Sequence, residues 1–250
     1  MGDQLSKHIV SAFDHDLEGI QADIMKMGGL VETAIRDAAK SLETRDEELA
    51  DEVRRRDKPV DALEEKVNES AARLIALRAP QASDLRVVLS VLRMASNLER
   101  IGDLAKNMAK RTGVLVQLHP IEGSATSLRR MAREVELMLK DALDSYIQRD
   151  SELAQDVIER DRDVDQMYNA AFREFLTFML EDPRNITACM HLHFIAKNIE
   201  RMGDHVTGIA EQVVFLVDGS LPDEKRPKAD HTSTDTRFSP EAEGGPGQED

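Results

Sequence analysis

Two carboxylates four residues apart on a helix repel each other, and this chain places such a pair twice in the same wording. Glu99 and Asp103 stand in Asn97-Leu98-Glu99-Arg100-Ile101-Gly102-Asp103, which returns 101 residues later as Asn198-Ile199-Glu200-Arg201-Met202-Gly203-Asp204. At that spacing both carboxylates leave one helix face about one turn apart. The repulsion costs a few tenths of a kcal/mol (about 0.2–0.5) unless a cation answers it. The chemistry open to such pairs is oxygen ligation of hard cations such as magnesium, manganese, calcium or ferric iron, rather than copper.

Two further pairs lie upstream of each motif. The apolar stripe Leu49, Val53, Val60, Leu63, Val67, Ala71, Leu74 calls for an apolar residue near position 57 and finds Asp57, with Asp61 one turn on. The stripe Leu153, Val157, Val164, Tyr168, Phe172, Phe175 is broken in the same way by Asp161, with Asp165 one turn on. A carboxylate on a buried stripe is costly unless it is paired or coordinated. Repetition of the pairs and the stripe positions of Asp57 and Asp161 favour a bound cation. Ordinary ion pairs through Arg56, Arg100 and Arg160 are the competing account.

Gly102 and Gly203, between Glu and Asp, give up helix propensity and so mark a need for space, either a close helix or an ion cluster. Asn97, Arg100, Asn198 and Arg201 flank the acids as supporting residues. His191, His193 and His205 are spaced near the second motif, as ligands or as structural histidines. No Glu-x-x-His of a di-iron bundle, Gly-rich phosphate loop, Ser/His/Asp set or Cys/His set is present. Catalysis, including that of a carboxylate-bridged di-metal oxidoreductase, is therefore the weaker alternative. A metal-free helical scaffold is the other.

The elements that must position these residues are helices. Aromatics are 4 % of the 250 residues, Trp is absent, and Ala, Leu, Val, Met, Glu and Arg dominate, a composition of helices rather than of sheets. Steps of three and four run from Ile9 through Phe13, Leu17, Ile20, Ile24, Met27, Val31, Ile35, Ala38 and Leu42, one long amphipathic helix. Gly28-Gly29 within it predicts a bend or a close contact.

The wording Arg45-Asp46-Glu47-Glu48-Leu49-Ala50 is answered by Arg149-Asp150-Ser151-Glu152-Leu153-Ala154, 104 residues on. The chain therefore reads as all-α. It has two tandem antiparallel three-helix bundles, residues 1–116 and 117–218, with six long helices and a disordered acidic tail over 219–250. Pro59 inside the first Asp pair predicts a kink or restart. Ser83 or Asp84 is the expected cap of the third helix and Ser124 that of the fourth.

A formal charge of −15 opposes binding to nucleic acid. No apolar run reaches the ~20 residues of a membrane span, and residues 1–8 lack a signal-peptide core. Cys189 alone gives neither a disulfide nor a thiolate cage and reads as a buried core residue. The expected location is the cytoplasm, with attachment to the inner membrane face only through partners.

Pro80-Gln81-Ala82-Ser83-Asp84-Leu85-Arg86 followed by the first motif, and then the second motif, resembles the two repeats of the PhoU family, accessory regulators of bacterial high-affinity phosphate uptake. The likeness covers about Leu5 to Val217. It implies two multinuclear metal sites, Asp57, Asp61, Glu99 and Asp103 at one and Asp161, Asp165, Glu200 and Asp204 at the other. Iron, zinc, manganese or magnesium are the candidate ions. It further implies a non-enzymatic negative regulator of the phosphate-starvation response, able to homodimerise. The implied partners are the pathway's sensor histidine kinase and the ATPase subunit of the phosphate ABC transporter.

Overall fold

Ile20, Ile24, Met27, Val31, Ile35, Ala38 and Leu42 are all buried, so the stripe of the first helix is used from Ile20 to Leu42. A computed structural model describes residues 2–221. It contains α1 (Gly2–Thr44), α2 (Glu47–Arg55), α3 (Lys58–Arg78), α4 (Ser83–Leu115), α5 (Ser124–Gln148), α6 (Ser151–Glu181) and α7 (Ile186–Asp218), the last entered through a 3-10 turn at Pro183–Asn185. No strand occurs among the described residues. The acidic tail, beyond residue 221, lies outside them.

The six expected arms are present, the second of them in two pieces. Pro59 has no N–H and would clash with the carbonyl four residues back, so α2 stops at Arg55 and α3 starts afresh at Lys58 with the proline in its first turn, where the missing donor costs nothing. Asp57 then stands at the N-cap position of α3. The second repeat has no proline there, and α6 runs unbroken.

The turn that begins each second arm is written and built twice. Arg45 and Arg149 both adopt φ 54°. The N–H groups of Asp46 and Asp150 donate to the carbonyls of Ser41 and Ser145 at 2.9 and 3.0 Å, closing each preceding helix in Schellman fashion. The same aspartates accept from the N–H of Leu49 at 2.9 Å and of Leu153 at 3.0 Å, capping the next helix.

Two expected caps are corrected. Ala82 (φ 51°) and Gly123 (φ 80°) hold the N-cap places of α4 and α5, and neither cap side chain bonds the helix. The N–H of Asp84 is met by the carbonyl of Gln81 at 3.1 Å, so no side chain is needed. The Ser124 hydroxyl donates to the Ile121 carbonyl at 2.7 Å rather than accepting from the helix.

Helix α1 packs on α4, on α5 and on the α2–α3 arm, while α7 packs on α4, α5 and α6. Four central helices therefore form a ring in the order α1, α4, α7, α5. The α2–α3 arm closes one flank and α6 the other. A single hydrophobic core runs through both repeats, and Cys189 is part of it. The expected close contact at Gly28 is made with α5: a Cβ there would collide with Leu143 Cδ1.

Candidate metal centre

The two motifs sit at the middle of α4 and α7, which pack on each other. Arg86 lies 5.4 Å from the ring centre of Phe215 and Arg111 4.3 Å from that of Phe194, while Asn97 Oδ1 meets His205 Nδ1 at 2.9 Å. These pairs make the helices antiparallel, in a register that sets the middle of one motif opposite the middle of the other. Each motif turns its carboxylates outward from this seam, Glu99 and Asp103 toward the α2–α3 arm, Glu200 and Asp204 toward α6.

The facing aspartates come from those arms, and the motif glycines let them in. A Cβ on Gly102 would lie 3.5 Å from Asp57 Oδ1 and 3.5 Å from Val60 Cγ1. On Gly203 it would lie 3.0 Å from Asp161 Oδ1 and 3.4 Å from Val164 Cγ1. Close helix approach is thus the reason for both glycines, and each sets a carboxylate oxygen above the bare backbone. Alanine at Gly102 meets only ordinary contacts and should gain most of the about 1 kcal/mol of helix propensity that Gly forgoes. Alanine at Gly203 must push Asp161, so the gain is expected to vanish or reverse; thermal unfolding of the two variants beside wild type measures the difference.

Burial differs between the sites. Asp161, Asp165 and Glu200 are buried in the second, at 3 %, 2 % and 3 % exposure, but only Asp57, at 7 %, in the first. Burial lifts the Glu200 carboxyl above its ordinary range; Asp204 and Asp165 add to this, while Lys197, at 2.9 Å from Oε1, opposes it. Glu200 Oε2 is buried with no hydrogen-bond partner. Burial, and then the charge of Asp103, raises Glu99; burial, and then Asp57, raises Asp61.

Each repeat brings one lysine to its acids, from opposite sides of the motif. Lys106, one turn after Asp103, bonds Asp57 Oδ2 on the facing arm and Asp103 Oδ1 at 2.9 Å. Hydrogen bonds to those two aspartates hold its ammonium far above its ordinary pKa. Lys197, one turn before Glu200, lies 4.8 Å from the ring centre of Tyr168.

The arginines divide differently from the sequence expectation. Arg100 is close to Glu99 and Asp103, at 3.4 and 3.9 Å, from an exposed position. Arg56 instead reaches Asp37 on α1 at 3.1 Å and Glu52 at 2.5 Å. Arg160 reaches Asp141 on α5 at 2.6 Å, Glu134 at 2.9 Å and Asp156 at 3.5 Å. Adjacent residues on a helix point about 100° apart, so neither arginine can follow the aspartate next to it into the site. Both clamp their arm to the first helix of the repeat.

The histidines serve packing. His191 Nδ1 lies 3.4 Å from Arg111, His193 stacks near Tyr168 and Phe172, and His205 joins the seam to Asn97. Burial, then nearby arginine, lowers the pKa of both His191 and His205. Asn97, expected to support the carboxylates, donates Nδ2 to the Arg93 carbonyl at 3.0 Å and ties the repeats together. Asn198 and the exposed Arg201 lie on α7 with their motif.

The donors are all carboxylate oxygens, a set for hard cations, and the orphaned oxygen of Glu200 fits such an ion. The acids stand as pairs. Among the described residues no three acid, histidine or cysteine side chains already form a metal-holding group.

Fold and site together define a class, a duplicated all-helical bundle displaying carboxylate pairs at twin positions. The chain belongs to the PhoU family, whose PhoU domain matches residues 24–112 and again 128–213. It is 44 % identical over 227 residues to a Rhizobium meliloti protein named phosphate-specific transport system accessory protein PhoU homolog, covering 91 % of this chain and 96 % of that one. A Caulobacter vibrioides relative of the same name is 42 % identical, over 90 % and 98 % of the two chains. The crystal structure of PhoU from Pseudomonas aeruginosa superposes with a TM-score of 0.81 at 36 % identity, over 83 % of this chain and all of that one. For the phosphate transport system regulatory protein PhoU from Streptococcus pneumoniae the TM-score is 0.77 at 28 % identity, over 85 % and 100 %.

Proposed function

We propose that this chain is a non-enzymatic accessory regulator of phosphate transport that keeps the phosphate-starvation response off while phosphate is plentiful. The observation that carries the reading is the family match across both repeats, since the relatives it covers nearly end to end are named as accessory proteins of the phosphate-specific transport system. In this reading the chain docks on the ATPase subunit of the transporter and on the sensor histidine kinase, at the cytoplasmic face of the membrane. No helix among the described residues is long and apolar enough to cross a membrane, which accords with attachment through partners.

A metal ion at the carboxylate pairs would neutralise charges that otherwise repel and draw α4 toward α3, or α7 toward α6. Asp57, Asp61, Glu99 and Asp103 would hold it in the first repeat, and Asp161, Asp165, Glu200 and Asp204 in the second. Ion binding could thereby set the spacing of outer arms that partners would read. No observation favours the di-metal oxidoreductase.

In a bacterium deleted for its own family member, this chain is expected to restore repression of an alkaline phosphatase reporter in phosphate-rich medium, by at least ten-fold. A reporter that stays fully on at normal protein levels would defeat the proposal.

A further inference from the structure

In a chain of formal charge −15, the solvent side of the α4–α7 seam carries a line of cations. Arg86, Arg93 and Arg100 repeat every seven residues of α4, which keeps them on one side of the helix over about 21 Å. Arg201, the twin of Arg100, comes opposite it in the register that sets Asn97 against His205, and the charges of both act on the His205 ring. The acids of the two motifs turn toward the outer arms, and Glu211, seven residues after Asp204, shares its side. Arg93, Arg100 and Arg201 are exposed. Arg100 meets Glu99 and Asp103 only at 3.4 and 3.9 Å, and no ion pair holds the guanidinium of Arg93 or Arg201 among the described residues. Beyond the arginines on the same face stand Phe194 and Met190, 43 % and 40 % exposed.

The sequence supplies a complement to this line, and supplies it at one end of it. Helix α7 ends at Asp218, and a Cβ on Gly219, the next residue, would lie 2.7 Å from Arg86 Nη1. The chain therefore leaves α7 beside the first of the arginines. From Ala229 to Asp250 it carries six acids and one arginine. The nine residues from Leu221 to Asp230 reach up to about 30 Å, more than the about 21 Å from Arg86 to Arg100. Asp230 and Asp235 precede Phe238, the only large apolar residue after Leu221, in the order in which the arginines precede Phe194 and Met190 along the seam.

We propose that the acidic segment 229–250 docks on the α4–α7 seam of its own chain, with Asp230 and Asp235 meeting Arg93, Arg100 and Arg201, and Phe238 meeting Phe194 and Met190. A single exposed ion pair is weak, but several act together here, and a tethered segment works at an effective concentration of about millimolar. The docked segment covers the line between the twin carboxylate positions. Any other anionic surface must displace it to reach those arginines. The proposal is independent of metal binding.

The chain has no Trp, so Phe238→Trp in the full chain gives a single donor for energy transfer. The acceptor is a thiol-linked dye on Ser96→Cys, exposed on α4 between Arg93 and Arg100, with the buried Cys189 changed to Ala. Transfer is expected to be about two-fold higher in dilute buffer than in 1 M salt, where the screening length is about 3 Å. Asp230→Asn with Asp235→Asn, both beyond α7, should bring the transfer in dilute buffer down to the high-salt level. Arg93→Gln with Arg201→Gln should do the same, and the tail pair serves alone if the seam pair fails to fold. Transfer that is equal at both salt concentrations, or that survives either pair of substitutions in the folded chain, overturns the proposal. Transfer lost when the labelled chain is mixed with an excess of unlabelled chain also overturns it, since the tail then lies on a second copy.

Discussion

Replacing Arg45 with glycine is expected to destabilise the protein, whereas the same change at its twin, Arg149, is expected to stabilise it. Both residues hold φ 54°, a left-handed conformation that costs a non-glycine residue about 1–2 kcal/mol. Glycine removes that cost, less what it loses in backbone entropy, so Arg149→Gly should gain about 0.5–1 kcal/mol. Arg149 is exposed at its turn. Arg45, by contrast, donates through Nη2 to the carbonyls of Leu115, Val116 and Leu118 at 2.9, 2.8 and 2.7 Å, closing the C-terminal end of α4. Charge-assisted bonds of this kind contribute about 1.5–3 kcal/mol each, and three sharing one nitrogen count as fewer than three. The net cost of Arg45→Gly should be about 1–3 kcal/mol. For a chain of this size that is a fall of about 2–4 °C in Tm per kcal/mol, against a small rise for Arg149→Gly. Calorimetry showing the same sign for both would refute the argument.

The twin turns also show which parts of the molecule could be read ahead of the structure. Repeated wording exposes the duplication, and steps of three and four expose the helices, because both are local signals. Asp57 and Asp161 betray themselves as acids on apolar stripes. Proximity in sequence offers Arg56 and Arg160 to the site aspartates, whereas their partners include Asp37 and Asp141, which lie 104 residues apart in the same register and signal the clamp. Lys106 is marked only by its place one turn after Asp103; its reach across to Asp57 depends on the packing of α4 on the α2–α3 arm. The antiparallel seam of α4 on α7 was not legible. Each helix buries more residues than one neighbour can cover, and nothing local says that Asn97 will meet His205. Two repeats with one shared core follow from that seam, which only the packed molecule reveals.

Glu200→Gln is expected to raise the stability of the chelator-treated protein and, on the proposed metal-binding reading, to abolish the stabilisation that metal would confer. Without an ion, the wild-type carboxylate is penalised by burial and by Asp204 and Asp165, which is why its pKa lies above the ordinary range. Holding that acid in the fold carries a cost, and an amide removes it while its oxygen still accepts from Lys197. With Mn²⁺ at a hundred times its dissociation constant, linkage should add about 2.7 kcal/mol to wild type, a rise of about 5–10 °C at this chain length. The variant should lose most of it, since its amide supplies no charge to the ion. The two melting curves should therefore cross: the variant melts higher in chelator and lower in metal. A merely structural carboxylate predicts a variant that melts lower in both, and a merely solvated one predicts no change in either. Only a buried acid that waits for a cation reverses its sign when the cation is supplied.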